Sequence, residues 1–129
     1  MASGGDYTAP NYFVDEQLKN KLRVVIAIKG LKSYRTMSFN RIIPKMSKVV
    51  SNGDVVFKAF DKGFLFEFIG RDNLKGKHYR LHVNGLPGLL EAPKCEYRVE
   101  DDAIHVLLHK QDGRTSWLSD VSSGLPLVD

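Results

Sequence analysis

Residues 64–84, FLFEFIGRDNLKGKHYRLHVN, decide the fold class of this chain. Phe64, Phe66 and Phe68 recur at every second position, and apolar and polar residues also alternate strictly over 78–84. An alternation of period two is typical of β-strands that are buried on one face. The intervening 70–76, GRDNLKG, has the glycines of a hairpin loop, so the stretch predicts two antiparallel strands.

The same pattern recurs along the chain and predicts seven strands in all. Helical periodicity is weak throughout, and short strands separated by regular turns are typical of an antiparallel β-sandwich. The predicted class is therefore all-β, a seven-stranded antiparallel sandwich. The five other predicted strands are Tyr12–Glu16, Leu22–Lys29, Val55–Phe60, Cys95–Val99 and Ala103–His109.

One segment, Gly30–Asp54, does not follow the alternation and is long for a strand connection. We predict a long loop or a short amphipathic helix here, with Pro44 near the helix start, covering a sheet edge. The sequence leaves open whether this segment is a functional lid or a structural cover.

Composition narrows the class of protein. The 129 residues predict one domain, and a single cysteine excludes an internal disulfide and favours a reducing compartment, the cytoplasm or the nucleus. No apolar run is long enough to cross a bilayer. The net charge of +4 is uneven, because residues 18–62 contain eleven Lys or Arg and only two acidic residues. This basic half could face an acidic partner, or it could be a solvated surface.

The residue types that support chemistry do not form a recognised constellation. Cys95 alternates with polar neighbours and is predicted to be a small buried hydrophobe. His82, His105 and His109 lack the spacing of a metal site, and the acidic triplet 100–102 fits an exposed turn. Nucleophile-elbow and phosphate-loop motifs are absent from the sequence, so we predict a protein that is not an enzyme and needs no cofactor or metal.

The order of the motifs resembles that of the CS domain. This family includes co-chaperones of heat shock protein 90, calcyclin-binding protein and ubiquitin-ligase-associated co-chaperones, and the last two are the most similar branches. The resemblance covers residues 11–121, with 1–10 as a flexible N-terminus, 30–54 as an extended basic insertion and 122–129 as a tail. It rests on VVIAI (24–28), VVFKAF (55–60), FLFEFIG (64–70), YRLHVNGL (79–86), PKCEYRV (93–99), AIHVLLHK (103–110) and Trp117-Leu118.

The resemblance implies a non-catalytic binding module. It would dock through an exposed sheet face on heat shock protein 90 or on a ubiquitin-ligase component, without a membrane or a small-molecule substrate. Two departures from the family are a Phe13–Val14 pair where a tryptophan is usual, and less charge on the last strand. The outward positions that we predict to contact the partner are Lys58, Lys62, Arg80, His82, Arg98, His105 and Leu107.

An alternative function is nucleic-acid binding by the basic half, 18–62. Its aromatic residues, Tyr34 and Phe39, are interspersed with basic ones, as in proteins that bind single strands. The sequence has no recognised RNA-binding motif, so nucleic acid is the less favoured partner. The basic residues of this stretch are Lys32, Arg35, Arg41, Lys45 and Lys48.

Overall fold

The computed structural model describes residues 7–18, 20–40 and 43–128, and the fold in these ranges is all-β. The all-β prediction is thus confirmed, and each of the seven predicted strands is present. The described residues form nine strands: β1 (Asn11–Leu18), β2 (Lys21–Ala27), β3 (Ser33–Asn40), β4 (Ile43–Val50), β5 (Gly53–Phe60), β6 (Gly63–Gly70), β7 (His78–Asn84), β8 (Glu96–Glu100) and β9 (Ala103–His109).

Three short helical elements lie between or after these strands. They are 3₁₀ turns at Asp72–Leu74 and Ala92–Lys94, and the four-residue helix α1 at Leu118–Val121. In the described part of the chain, no helix has the length and apolar composition needed to cross a bilayer.

The strands form three antiparallel sheets. The largest has the order β1-β2-β9-β8, the second has the order β5-β6-β7, and β3 and β4 form a third sheet by pairing with each other. The predicted alternation matches the observed register. Phe66, for example, lies between Phe57 and Leu81 on one face of the second sheet.

The two larger sheets contribute to one hydrophobic core. Phe64, Phe66 and Phe68 of β6 are completely buried. Truncation of such a phenylalanine to alanine costs about 3–5 kcal/mol, so these side chains are major determinants of stability. The four-stranded sheet contributes alternate residues of β2 and β9 to the same cluster: Leu22, Val24, Ile26, Ile104, Val106 and Leu108.

The predicted long loop or short helix at Gly30–Asp54 is wrong. This segment contains β3 and β4, with Tyr34 opposite Val49 and Arg35 opposite Lys48. Among the described residues, each of these strands pairs in the sheet with the other alone, so the backbone pairing identifies them as strands although the sequence shows no apolar alternation. Pro44 lies in β4 rather than in a helix, and each strand of a two-stranded sheet is an edge strand, where proline is tolerated.

The aromatic residue of β1 that packs on the core is Tyr12, not Phe13. Phe13 is 57% exposed, whereas Tyr12 and Val14 pack against the buried cluster. The Tyr12 hydroxyl accepts a hydrogen bond from the backbone N–H of Leu125 at 2.9 Å. Because Leu125 is itself buried, this contact attaches the end of the chain to β1.

Candidate functional site

The structure divides the seven predicted contact residues between two faces. One group lies on the three-stranded sheet and its β5–β6 turn, and the other lies on the four-stranded sheet. The inward residues of both sheets belong to one core. The first group is Lys58, Lys62, Arg80 and His82, and the second is Arg98, His105 and Leu107.

The outer face of the three-stranded sheet combines apolar and basic side chains. Lys58, Leu65 and His82 are cross-strand neighbours in one row. Val56 and Phe60, which flank Lys58 on β5, are 38% and 41% exposed. We call this surface the docking face, and define it by Val56, Lys58, Phe60, Lys62, Leu65 and His82.

A glycine shapes one end of the docking face. Gly63 is the cross-strand partner of Phe60, and a Cβ atom at this position would lie 1.8 Å from the carbonyl oxygen of Val83. The Phe60 ring lies beside the imidazole of His82, with ring centroids 6.3 Å apart. The face therefore presents an aromatic pair next to Lys58.

The cations of the docking face differ in their partners. Within the described residues, Lys58 and Lys62 form no ion pair, and both are exposed. Arg80, in the next row, donates from Nε to Glu67 at 2.7 Å, and its guanidinium lies 4.0 Å from the Tyr7 ring centroid. The two lysines are therefore available to an acidic partner, whereas Arg80 is already held.

Both ends of the described chain cover the outer edge of β7. Thr8 donates its N–H to the carbonyl of His78 and accepts from the N–H of Arg80. Further along, Asn84 donates to Pro126, and Val128 donates to His82 at 2.8 Å. The β7 edge is thus occupied, so the flat face is the accessible part of this sheet. Val128, 42% exposed, extends the apolar surface beside His82.

On the four-stranded sheet, the charged side chains pair with one another. Arg98 lies 3.4 Å from a carboxylate oxygen of Glu96, and Arg23 donates from Nε to Asp15 at 2.9 Å. Burial, and then the charge of Arg23, lower the pKa of His105 below 6.5, so this histidine is a poor cation at neutral pH. Leu107 is half-buried between Arg23 and Glu96 in the register. This second group is therefore a weaker candidate for binding an acidic partner.

The sequence prediction omitted the apolar members of the docking face. Val56, Phe60 and Leu65 share the outward side with Lys58, and the alternation of β5 could have identified the first two. The pairing of β5 with β6, which brings Leu65 beside Lys58, is a property of the sheet.

A buried ion pair was also missed. Lys110 is 3% exposed; its ammonium donates to the Glu16 carboxylate and, at 3.1 Å, to the carbonyl of Thr115. The same carboxylate accepts a hydrogen bond from the backbone N–H of Trp117 at 3.0 Å. The Lys110 ammonium also lies 4.8 Å from the centroid of the Trp117 ring. These contacts connect β1, the end of β9 and the segment before α1.

The environment of Cys95 is that of an unreactive thiol. Its Sγ accepts the N–H of His109 at 3.4 Å and contacts the carbonyl of Glu91 at 3.6 Å. Burial raises the pKa of this thiol, so the thiolate is disfavoured at neutral pH. Among the residues that the structure describes, no three His, Cys, Asp or Glu side chains are grouped to hold a metal ion.

No protein-family model matches the chain, and no curated protein is significantly similar to it in sequence.

Proposed function

We propose that this protein is a non-catalytic protein-interaction module of the CS-domain type. In this proposal, the four-stranded and three-stranded sheets are the two layers of a seven-stranded β-sandwich, and the β3–β4 hairpin is an addition to it. Support comes from the shared core, and from the fact that the seven strands predicted from the sequence are those of the two larger sheets.

The observation that most supports a binding function is the composition of the docking face. Exposed Val56 and Phe60 lie next to two lysines that no described carboxylate neutralises. Exposed apolar side chains beside unpaired charges favour a contact with another protein, in which burial supplies affinity and charge sets orientation and association rate. The partner would then present an acidic surface around an apolar centre.

The partner in this proposal is heat shock protein 90 or a ubiquitin-ligase component. This choice rests on the resemblance of the motif order to CS domains, and the basic docking face adds the requirement that the partner surface be acidic. A cytoplasmic or nuclear location is part of the same proposal, and the single cysteine supports it.

The experiment is an NMR titration of the ¹⁵N-labelled protein with separate domains of heat shock protein 90, with and without nucleotide, and with ubiquitin-ligase adaptors. We expect shifts on β5, β6 and β7, concentrated around Lys58 and Phe60. Phe60→Ala should weaken binding by about tenfold or more if this ring is a central anchor. Lys58→Glu should weaken binding more at low salt than at high salt.

Arg98→Glu is the matched control, because it reverses a charge on the other sheet. Shifts confined to β8 and β9, or an Arg98→Glu loss equal to that of Lys58→Glu, would contradict the proposed face. A folded protein that gives no shift with any of these partners would overturn the proposed function.

A further inference from the structure

The strands β3 and β4 form a sheet of their own, separate from the two larger sheets. We define the arm as residues 33–50, whose two strands pair only with each other in a sheet of their own. Strands of eight residues extend about 26 Å at 3.3 Å per residue. Besides β3, β4 contacts β8 and β5, and among the three β4 residues whose burial is described, 48–50, Val50 belongs to the core.

A hydrogen-bonded network holds the base of the arm. The side chain of Asn52 is buried; its Oδ1 accepts the N–H of Lys32 at 2.9 Å, and its Nδ2 donates to the carbonyl of Gly30 at 2.9 Å. The same Nδ2 contacts Asn73 at 2.7 Å, which ties both ends of the arm to the loop before β7. The arm therefore starts from a fixed base, and groups near this base have defined positions.

The arm and its base are basic. The sequence contains no Asp or Glu between Glu16 and Asp54. Lys32 and Arg35 are exposed and form no ion pair within the described residues. Two carboxylates nearby are engaged: Glu100 lies 3.7 Å from the ammonium of Lys48, and Asp102 accepts the N–H of Gly30 at 3.0 Å.

An exposed aromatic ring lies near the base of the arm. Tyr34 is 54% exposed, and its cross-strand neighbour Val49 is 37% exposed, so one face of the arm near its base is open to solvent. In a strand, alternate residues share a face, which places Lys32 on the same face as Tyr34 and Arg35 on the opposite face. An exposed ring with a cation on its own face can stack on an unpaired base while the cation contacts a phosphate, and a cation on the other face can contact the backbone where it continues across the arm.

We propose that the arm binds single-stranded nucleic acid, with Tyr34 stacking on a base and Lys32 and Arg35 contacting phosphates. The nucleic-acid alternative from the sequence covered the whole basic half of the chain, and this inference assigns binding to one surface of it. It does not depend on the docking face. A single strand is favoured over a duplex because the faces of paired bases are stacked and inaccessible to an exposed tyrosine. The arm and the docking face thus provide separate sites for separate partners.

The test is fluorescence anisotropy of dye-labelled single-stranded oligonucleotides, a 20-mer of deoxythymidine and a 20-mer of uridine, titrated with the full chain at several salt concentrations. Two phosphate contacts, from Lys32 and Arg35, predict a slope near −1.4 for log K against log salt. Tyr34→Ala should weaken binding by roughly 5- to 150-fold, whereas Tyr34→Phe should retain it. The double variant Lys32→Glu/Arg35→Glu should bring the salt slope close to zero.

Lys58→Glu is the matched control, since it makes the same charge reversal on the docking face and should reduce binding much less than Lys32→Glu. Circular dichroism of each variant separates a binding loss from unfolding. The inference is overturned by equal losses for Lys32→Glu and Lys58→Glu, by equal binding of an acidic polyglutamate peptide, or by preference for a duplex with no effect of Tyr34→Ala. Absence of binding to both oligonucleotides at 20 mM salt would also overturn it.

Discussion

Replacing Lys110 by methionine should be among the most destabilising changes outside the core. The variant keeps most of the apolar stem of the side chain but leaves the buried Glu16 carboxylate without its cation. The carboxylate then keeps only the hydrogen bond from the backbone N–H of Trp117, at 3.0 Å, among the two contacts named above. Removing one partner of a buried ion pair costs about 3–5 kcal/mol. A domain of this size is stable by about 5–15 kcal/mol, so the loss is a large part of the total.

The double variant Glu16→Gln/Lys110→Met should cost less than either single variant. With both charges gone, the neutral amide still accepts the Trp117 N–H, and the remaining penalty is about 1–2 kcal/mol for imperfect hydrogen bonding. The two substitutions should therefore be coupled by about 2 kcal/mol or more in a double-mutant cycle.

The pH dependence distinguishes an ion pair from a packing effect. Burial alone would raise the pKa of Glu16, but the hydrogen bonds from Lys110 and Trp117 and the lysine charge together lower it from 4.5. A lowered pKa means that the pair stabilises the fold above pH 4.5, and that this stabilisation is lost as the pH falls through the lower folded pKa. In Lys110→Met, burial dominates and raises the pKa of Glu16, so the cost of the substitution should shrink between pH 7 and pH 4.

The assay is urea unfolding at these two pH values, followed by far-ultraviolet circular dichroism, because Trp117 fluorescence will respond to the substitution itself. Lys58→Met, at an exposed position, is the control and should change stability by less than about 0.5 kcal/mol. A Lys110→Met loss below about 1 kcal/mol at pH 7, or a loss that does not shrink at pH 4, would refute this account of the buried pair.

Two further predictions concern the base of the arm and the four-stranded sheet. Asn52→Ala should lower the free energy of unfolding, measured with urea, by about 1–3 kcal/mol, because the backbone N–H of Lys32 loses its buried acceptor. Hydrogen exchange of that amide should also become faster. Unchanged stability and exchange would contradict a structural role for the network. The wild-type protein should lose stability as the pH falls below 6.5, because burial and then the charge of Arg23 lower the pKa of His105 and the unfolded chain binds the proton more readily. His105→Gln should remove this part of the slope between pH 7.5 and pH 5.5, and an unchanged slope would exclude His105 as its source.

Much of the fold could be predicted because strands such as β6, β7 and β9 bury alternate side chains. The period-two spacing of Phe64, Phe66 and Phe68 indicates that their side chains are buried on one face of the strand. The arm gave no such signal, because apolar and polar residues do not alternate regularly over residues 33–50 and the two strands pair outside the two larger sheets. The sequence also left open which residue of the Phe13–Val14 pair faces the core, because adjacent residues on a strand point to opposite faces. In the structure Val14 packs on the core and Phe13 is exposed.

The candidate site was only partly predictable for the same physical reason. Alternation shows that Lys58, Arg80 and His105 point outward from their strands, but it does not assign strands to sheets. Sheet membership comes from pairings distant in sequence, such as β2 with β9, and it alone separates the docking face from the paired charges of the other sheet.

The sequence by itself determined the all-β class, seven of the nine described strands and the basic character of residues 18–62, because alternation and charge are local properties of residue type and spacing. Only the tertiary structure decided which outward residues share a face, that Glu16 meets Lys110, and that residues 33–50 form an arm. Each of these depends on contacts between segments that are distant in sequence. Such contacts form only after the intervening chain has closed into a loop, which costs conformational entropy.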